Sequence, residues 1–238
     1  MNIPKVIYQT WKTKNINPEV KEVINKMIDI NKGYRHEFYD DNDIEIFLKE
    51  NFPPNIYNCY SRINVGASKA DFWRYCVLYK YGGVYIDIDS TLLKPIDDLL
   101  TPEVQCLITR EKNPGMFNNW IIACEKEHPI MKMAIDLCCL NIFNGTATNA
   151  VELTTRALNI SVQTIMMPYY DKICALYFEP DQRLNMILNN PSNNVRCKFY
   201  GYDLNEYAVW KHDACDELYS QHQHWTKETQ LLKNIITI

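Results

Sequence analysis

Ser68-Lys-Ala-Asp-Phe-Trp-Arg-Tyr-Cys-Val-Leu-Tyr-Lys-Tyr-Gly-Gly-Val-Tyr-Ile-Asp-Ile-Asp89 decides the fold of this 238-residue chain. The run reads as an amphipathic helix, a break at Gly82-Gly83 and a short strand that ends on two aspartates. Side chains alternate along a strand, so Val84, Ile86 and Ile88 point one way and Tyr85, Asp87 and Asp89 the other. The first face packs. The second sets two carboxylates beside an aromatic ring, where like charges repel and burial raises the cost. A bound cation relieves that repulsion. Hard cations such as Mg2+ are often held by one or two carboxylates, with substrate phosphates filling other positions.

Upstream, strand and helix patterns alternate. Lys5 to Gln9 reads as a strand, and a helix starts at Pro18. A second strand runs from Tyr34 to Tyr39, and helices run from Asp41 to Glu50, Pro54 to Arg62 and Ala67 to Tyr81. This order predicts an α/β fold with a mainly parallel central sheet. Beyond Asp89 the reading is a short strand at Thr91-Leu-Leu, a helical turn from Pro95 to Leu100 and a strand from Val104 to Thr109. Helices follow at Met131 to Leu140 and Ala150 to Leu158. Tyr169 to Tyr202 is irregular, with strand candidates at Ile173 to Phe178 and Val195 to Tyr200, and Thr226 to Ile238 reads as a closing helix. No repeat or linker divides the chain, so a single domain over 1–238 is expected.

The net charge of −4 argues against a general nucleic-acid binder, which carries a basic patch or stripe. Nine cysteines, an odd number with no C-x-x-C pair and many in apolar runs, read as buried reduced thiols. Met1 to Tyr8 is too short and strand-like for a signal peptide. No apolar run approaches the ~18 residues of a membrane span. A cytoplasmic location and no transmembrane segment are the expectation. The Asn-, Ile- and Lys-rich composition suits a bacterial or large-DNA-virus origin, with the host cytoplasm as location if viral.

Asp71 and Arg74 lie three apart on the helix that leads into the aspartate strand. They form either an ordinary intrahelical ion pair or one polar wall of the same cleft, with Asp71 accepting sugar hydroxyls. The Asp87/Asp89 pair is either structural or metal-binding. A calcium loop of the EF-hand kind needs glycine at its sixth position, and Leu92 stands there.

Gly66 to Asp89 closely resembles the DXD sugar-binding region of glycosyltransferase family 32, which includes yeast mannosyltransferases and bacterial and viral capsular-type enzymes. Ile3-Pro-Lys-Val-Ile-Tyr-Gln-Thr-Trp-Lys12 resembles the family's opening strand, with Tyr8 where histidine is usual. Asp97-Asp98 continues the resemblance, Asn118-Asn-Trp120 and Asn144-Gly-Thr-Ala147 do so more weakly, and it is fragmentary after about residue 125.

The resemblance implies a GT-A type, Rossmann-like sandwich that binds a nucleotide-sugar (UDP- or GDP-sugar) and Mn2+ or Mg2+. Asp87 and Asp89 would lie at the metal, and Asp71 and Arg74 would hold the donor sugar; Asp71, Arg74 and Asp89 are the candidate catalytic residues. Tyr8, Gln9, Thr10 and Trp11 would contact base and ribose, with Tyr85 at the ribose. Near the C-terminus, Gln221-His-Gln-His-Trp225 is the nearest equivalent of the family's histidine–tryptophan pattern. It makes His222 or His224 a third metal ligand or diphosphate contact and Trp225 a donor contact, unless these are exposed histidines; His212 is a further candidate. Residues 1–125 would form the nucleotide-sugar part and 126–238 the acceptor side with a closing segment. The implied reaction is retaining transfer of a hexose to a glycan, glycoprotein or glycolipid. No carboxylate stands out as a covalent nucleophile, so front-face transfer, with the leaving diphosphate taking the acceptor's proton, is expected. The alternatives are a nucleotidyl- or phosphotransferase and a sugar-nucleotide-binding module without activity.

Overall fold

The computed structural model describes residues 3–111, 116–175, 186–200 and 207–209. Its centre is a seven-stranded sheet in the order β2-β1-β3-β6-β5-β8-β7. The strands are β1 (Val6–Thr10), β2 (Arg35–Tyr39), β3 (Gly83–Ile86), β5 (Cys106–Arg110), β6 (Phe117–Cys124), β7 (Met186–Asn190) and β8 (Val195–Tyr200). β1 runs parallel to β2 and β3, β6 is antiparallel to β3 and β5, β5 is parallel to β8, and β7 is antiparallel to β8. Five strands therefore share one direction and β6 and β7 oppose it. β4 (Thr91–Leu92) pairs outside this sheet with β9 (Ala208–Val209).

Local signals fix the first half. Asn17 caps α1 (Pro18–Ile30) by accepting from the Glu19 amide at 2.7 Å, and Pro18 supplies a preset first turn. Asp40 and Asp43 form a reciprocal capping box at the start of α2 (Asp41–Asn51). α3 (Pro54–Ser61) and α4 (Gly66–Tyr81) follow. β1 is buried at all five positions, as a central strand covered on both faces must be. Its Val6 and Tyr8 join the core under the helices α2 to α4, with α5 (Pro129–Asn144) and α6 (Arg156–Ile165). Ile7 joins the core on the other face, with Met27 of α1.

α4 is not the amphipathic helix that the sequence suggests. Phe72 to Leu78 are buried without interruption, because α4 packs against the sheet on one side and against α3 and α5 on others. It stops at Gly82 (φ 66°), and Gly83 (φ 115°) opens β3. A Cβ on Gly83 would stand 2.9 Å from both the Tyr8 ring and the Val6 carbonyl, so only glycine lets β3 close against β1.

Other expectations need correction. The sequence reading has no strand at β6: Asn118-Asn119 near its start disfavours one, and the strand is held by pairing on both edges. β7 likewise falls in the stretch expected to be irregular. The strand candidate at 173–178 is helical as far as it is described, Ile173 lying in α7 (Tyr170–Ala175). The helix expected from Ala150 begins as a π-helical turn, Val151–Thr155, and α6 continues it to Ile165.

Candidate active site

The order β2-β1-β3 means that the chain leaves β1 in one direction and returns to its other side. An open α/β sheet binds ligands at such a switch point, outside the carboxyl ends of the strands. A cleft of about 520 Å³ lies there. The β1–β3 register pairs Tyr8 with Tyr85, and continuing it by two residues brings Thr10 level with Asp87.

β3 ends at Ile86, so Asp87-Ile-Asp89 forms a turn rather than the alternating strand end expected. The Asp87 amide donates to the Trp120 carbonyl at 2.9 Å, and the Ser90 amide donates back to the Asp87 carbonyl at 3.0 Å. Ile88 packs in a small core with Ile16, Val20 and Ile24 on and before α1. That anchor orients the aspartates on either side of it, and both line the cleft.

Arg74 is the centre of the charge network. Its side chain is 4% exposed. Nη2 donates to Asp87 Oδ1 at 2.8 Å and to the Tyr85 hydroxyl at 3.0 Å, and Nη1 lies 3.1 Å from Asp71 Oδ1 and donates to the Asn119 carbonyl. The guanidinium also sits 4.2 Å from the centre of the Tyr85 ring. Burial alone would lower the Arg74 pKa, but Asp87, Tyr85 and Asp71 outweigh it and raise it. Burial raises the Asp71 carboxyl above its usual value against the pull of Arg74 and the hydrogen bonds from Thr154 and Asn119. Tyr85, pushed far up by burial, donates to Asp87 Oδ1 at 2.7 Å.

The sequence candidates divide. Thr10, Trp11, Asp71, Arg74, Tyr85, Asp87 and Asp89 come together in the cleft wall. Tyr8 and Gln9 do not: Tyr8 is 1% exposed in the core below α4, and Gln9 is fully buried. Tyr8 and Gln9 point to opposite faces of the sheet, and both faces are covered, so both are buried while Thr10 and Trp11 at the strand's end line the cleft. His212, His222, His224 and Trp225 lie outside the described residues. Sequence reasoning missed other parts of the wall: Glu111 beyond β5, Asn118 to Trp120 on β6, Asp41 and the turn Val151–Thr155. Only the faint Asn118-Asn-Trp120 match pointed towards them.

The lining holds five carboxylates (Asp41, Asp71, Asp87, Asp89, Glu111) against three cations (Lys12, Lys69, Arg74). Burial raises the carboxyls of Asp41 and Glu111 as well. Asp87 uses Oδ1 for both Arg74 and Tyr85, which leaves its second oxygen for a ligand, and its side chain is 27% exposed. An all-oxygen pair with an excess of negative charge fits a hard divalent cation.

One other described group has metal-ligand chemistry. Ligand atoms of Cys106, His128 and Cys197 lie within 4.8 Å of one another and all three residues are buried. His128 Nδ1 accepts from the Ile130 amide at 3.3 Å and caps α5, so its proton resides on Nε2. With the Nδ1 lone pair committed to the helix cap and Nε2 protonated, neither ring nitrogen is open to a metal, and Cys106 and Cys197 are part of the core.

Residues 17–105 match a family model described as the glycosyltransferase sugar-binding region containing the DXD motif. Over that stretch the chain is similar to this DXD-motif family. It is 33% identical over 157 residues to an uncharacterized glycosyltransferase of Acanthamoeba polyphaga mimivirus, covering 61% of this chain and 62% of that one. It is 30% identical over 133 residues to inositol phosphoceramide mannosyltransferase 3 of Schizosaccharomyces pombe, covering 56% and 36%. The chain thus spans less than two thirds of these relatives. Among solved structures, the PaToxG glycosyltransferase superposes with a TM-score of 0.60 at 23% identity, over 71% of this chain and 72% of that one. The fold is of the GT-A type.

Proposed function

We propose that this protein is a member of the DXD family and a metal-dependent, retaining glycosyltransferase that moves a hexose from a UDP- or GDP-sugar to a glycan, glycoprotein or glycolipid. The observation that carries this reading is the Asp87/Asp89 turn at the β1–β3 switch point, inside a cleft whose carboxylates outnumber its cations by two. Asp87 and Asp89 hold Mn2+ or Mg2+, which offsets the charge of the leaving diphosphate when bound. Asp71 and Arg74 hold the donor sugar, and Thr10 and Trp11 flank the nucleoside. The N-terminus of α4, which has no side-chain cap, lines the cleft through Gly66 and Ala67 with Lys69 beside it, and it suits the phosphates. No carboxylate is assigned as nucleophile. The acceptor's proton passes to the leaving diphosphate.

We assign residues 1–125 chiefly to the donor and 126–238 to the acceptor side. The seven described free cysteines, all buried, favour a reducing compartment, and the cytoplasm is the proposed location. No described helix is long and apolar enough to cross a membrane.

The test is transfer from labelled UDP- and GDP-sugars with and without Mn2+, read by product analysis. Asp89→Asn is expected to abolish transfer and leave the circular dichroism spectrum unchanged. Full activity of that variant would remove Asp89 from the metal site. Release of labelled nucleotide onto the acceptor would make the protein a nucleotidyltransferase instead.

A further inference from the structure

The π-helical turn Val151–Thr155 stands directly over Asp71. Such wide turns insert an extra residue into a helix and often occur where a side chain must be re-aimed. Here two consecutive threonines reach the same polar cluster. Thr154 donates to Asp71 Oδ2 at 2.6 Å, and Thr155 Oγ1 accepts from Asn119 Nδ2 at 3.1 Å. In a regular α-helix, successive side chains point about 100° apart.

Asn119 has no hydrogen-bonding capacity to spare on its amide nitrogen. Nδ2 donates to Asp71 Oδ2 at 3.3 Å and to Thr155, while Oδ1 accepts from the Tyr75 hydroxyl at 3.0 Å. An amide nitrogen has two protons, and both are used. Thr155 is different. Its hydroxyl accepts one bond and keeps its own proton, and the residue lines the cleft beside Asp71. Asp71 Oδ1 is bonded to Arg74 and retains acceptor capacity. The wall therefore presents one hydroxyl donor and one carboxylate acceptor side by side, with Asn119 and Thr154 holding them in place.

We infer that Thr155 reads the transferred sugar: its hydroxyl donates to a sugar hydroxyl oxygen while that hydroxyl or its neighbour donates to Asp71. This rests on the donor-sugar role proposed for Asp71. Thr155 is then a specificity residue, because a paired donor and acceptor discriminates axial from equatorial hydroxyls at adjacent carbons. Asn119 is a positioning residue.

The experiment compares, by calorimetry with Mn2+, a nucleoside diphosphate with the matching nucleotide-sugar and its hydroxyl epimers, for wild type and Thr155→Val. Valine keeps the shape and removes the hydroxyl. The diphosphate alone is expected to bind equally to both proteins. The extra affinity contributed by the sugar is expected to fall roughly threefold to tenfold, the usual worth of one neutral hydrogen bond, with preference among epimers reduced. Unchanged sugar increment and unchanged epimer preference in Thr155→Val would overturn the assignment. If wild type binds no nucleotide-sugar at all, the glycosyltransferase reading itself fails, and that outcome is separate. Glu152→Ala, on the same turn but with its side chain bonded to Thr148 and outside the cleft lining, is the control for a general disturbance: it is expected to keep the epimer preference, and losing it as Thr155→Val does would reduce the role of Thr155 to holding the turn.

Discussion

Gln9 donates from Nε2 to the main-chain carbonyl of Asp87, 3.3 Å away, and its Oε1 faces His36 Nε2 at 2.9 Å. Three neighbouring strands are thereby tied through one fully buried amide to the turn that carries both cleft aspartates. A carbonyl only accepts, so the amide nitrogen faces Asp87 and His36 must carry its proton on Nε2. Gln9→Ala strands the partners of a buried amide. It is expected to cost about 1–3 kcal/mol in urea unfolding and to raise the Mn2+ concentration needed for half-maximal activity. An unchanged metal requirement would reduce Gln9 to a packing role.

His36 gives a pH signature. Burial lowers its pKa, so the fold prefers the neutral ring. The unfolded chain takes up the proton first as pH falls. The stability is thus fully present above the unfolded value of about 6.5 and is lost as pH falls through the lower folded value. His36→Gln, which can still donate to Gln9, is expected to flatten the slope of melting temperature against pH just below 6.5. An identical slope in the variant would show that another group is responsible.

Arg74 neutralises Asp71 and Asp87 together. Arg74→Ala leaves two largely buried carboxylates without their cation and is expected to cost about 3–5 kcal/mol in chemical denaturation. Arg74→Lys keeps the charge but cannot span both aspartates and the Asn119 carbonyl. It should recover part of the stability and little of the activity.

Thr154→Val removes the 2.6 Å hydrogen bond to Asp71 with little change of shape. That bond holds the Asp71 pKa down against burial, so its loss raises the pKa further. The acid limb of the activity profile is expected to move to higher pH, because Asp71 now takes its proton earlier on the way down. A limb that stays in place would separate Asp71 from the activity-limiting ionisation.

What could be read from the sequence follows from range. The α1 cap at Asn17, the capping box at Asp40 and Asp43 and the break at Gly82-Gly83 depend on neighbours a few residues away, and each is plain in the letters. The link from Asp71 to Thr154 spans 83 positions and runs through a turn whose letters, Val-Glu-Leu-Thr-Thr, carry no sign of π geometry. β6 was hidden for a related reason: Asn118 and Asn119 look like turn residues, and only the cleft reveals what their amides bond. The charged half of the site, Asp71 to Asp89, lies within one contiguous stretch and was legible. The wall opposite it is assembled from β6 and the 151–155 turn and was not.

The side chain between the two turn aspartates is clamped among Ile16, Val20 and Ile24. The middle letter of D-x-D therefore has a size requirement here. Ile88→Gly would keep both carboxylates in the chain and remove what fixes the angle between them. Trimming Val20 on α1 would act at a distance in the same manner, as an apolar adjustment of a polar site.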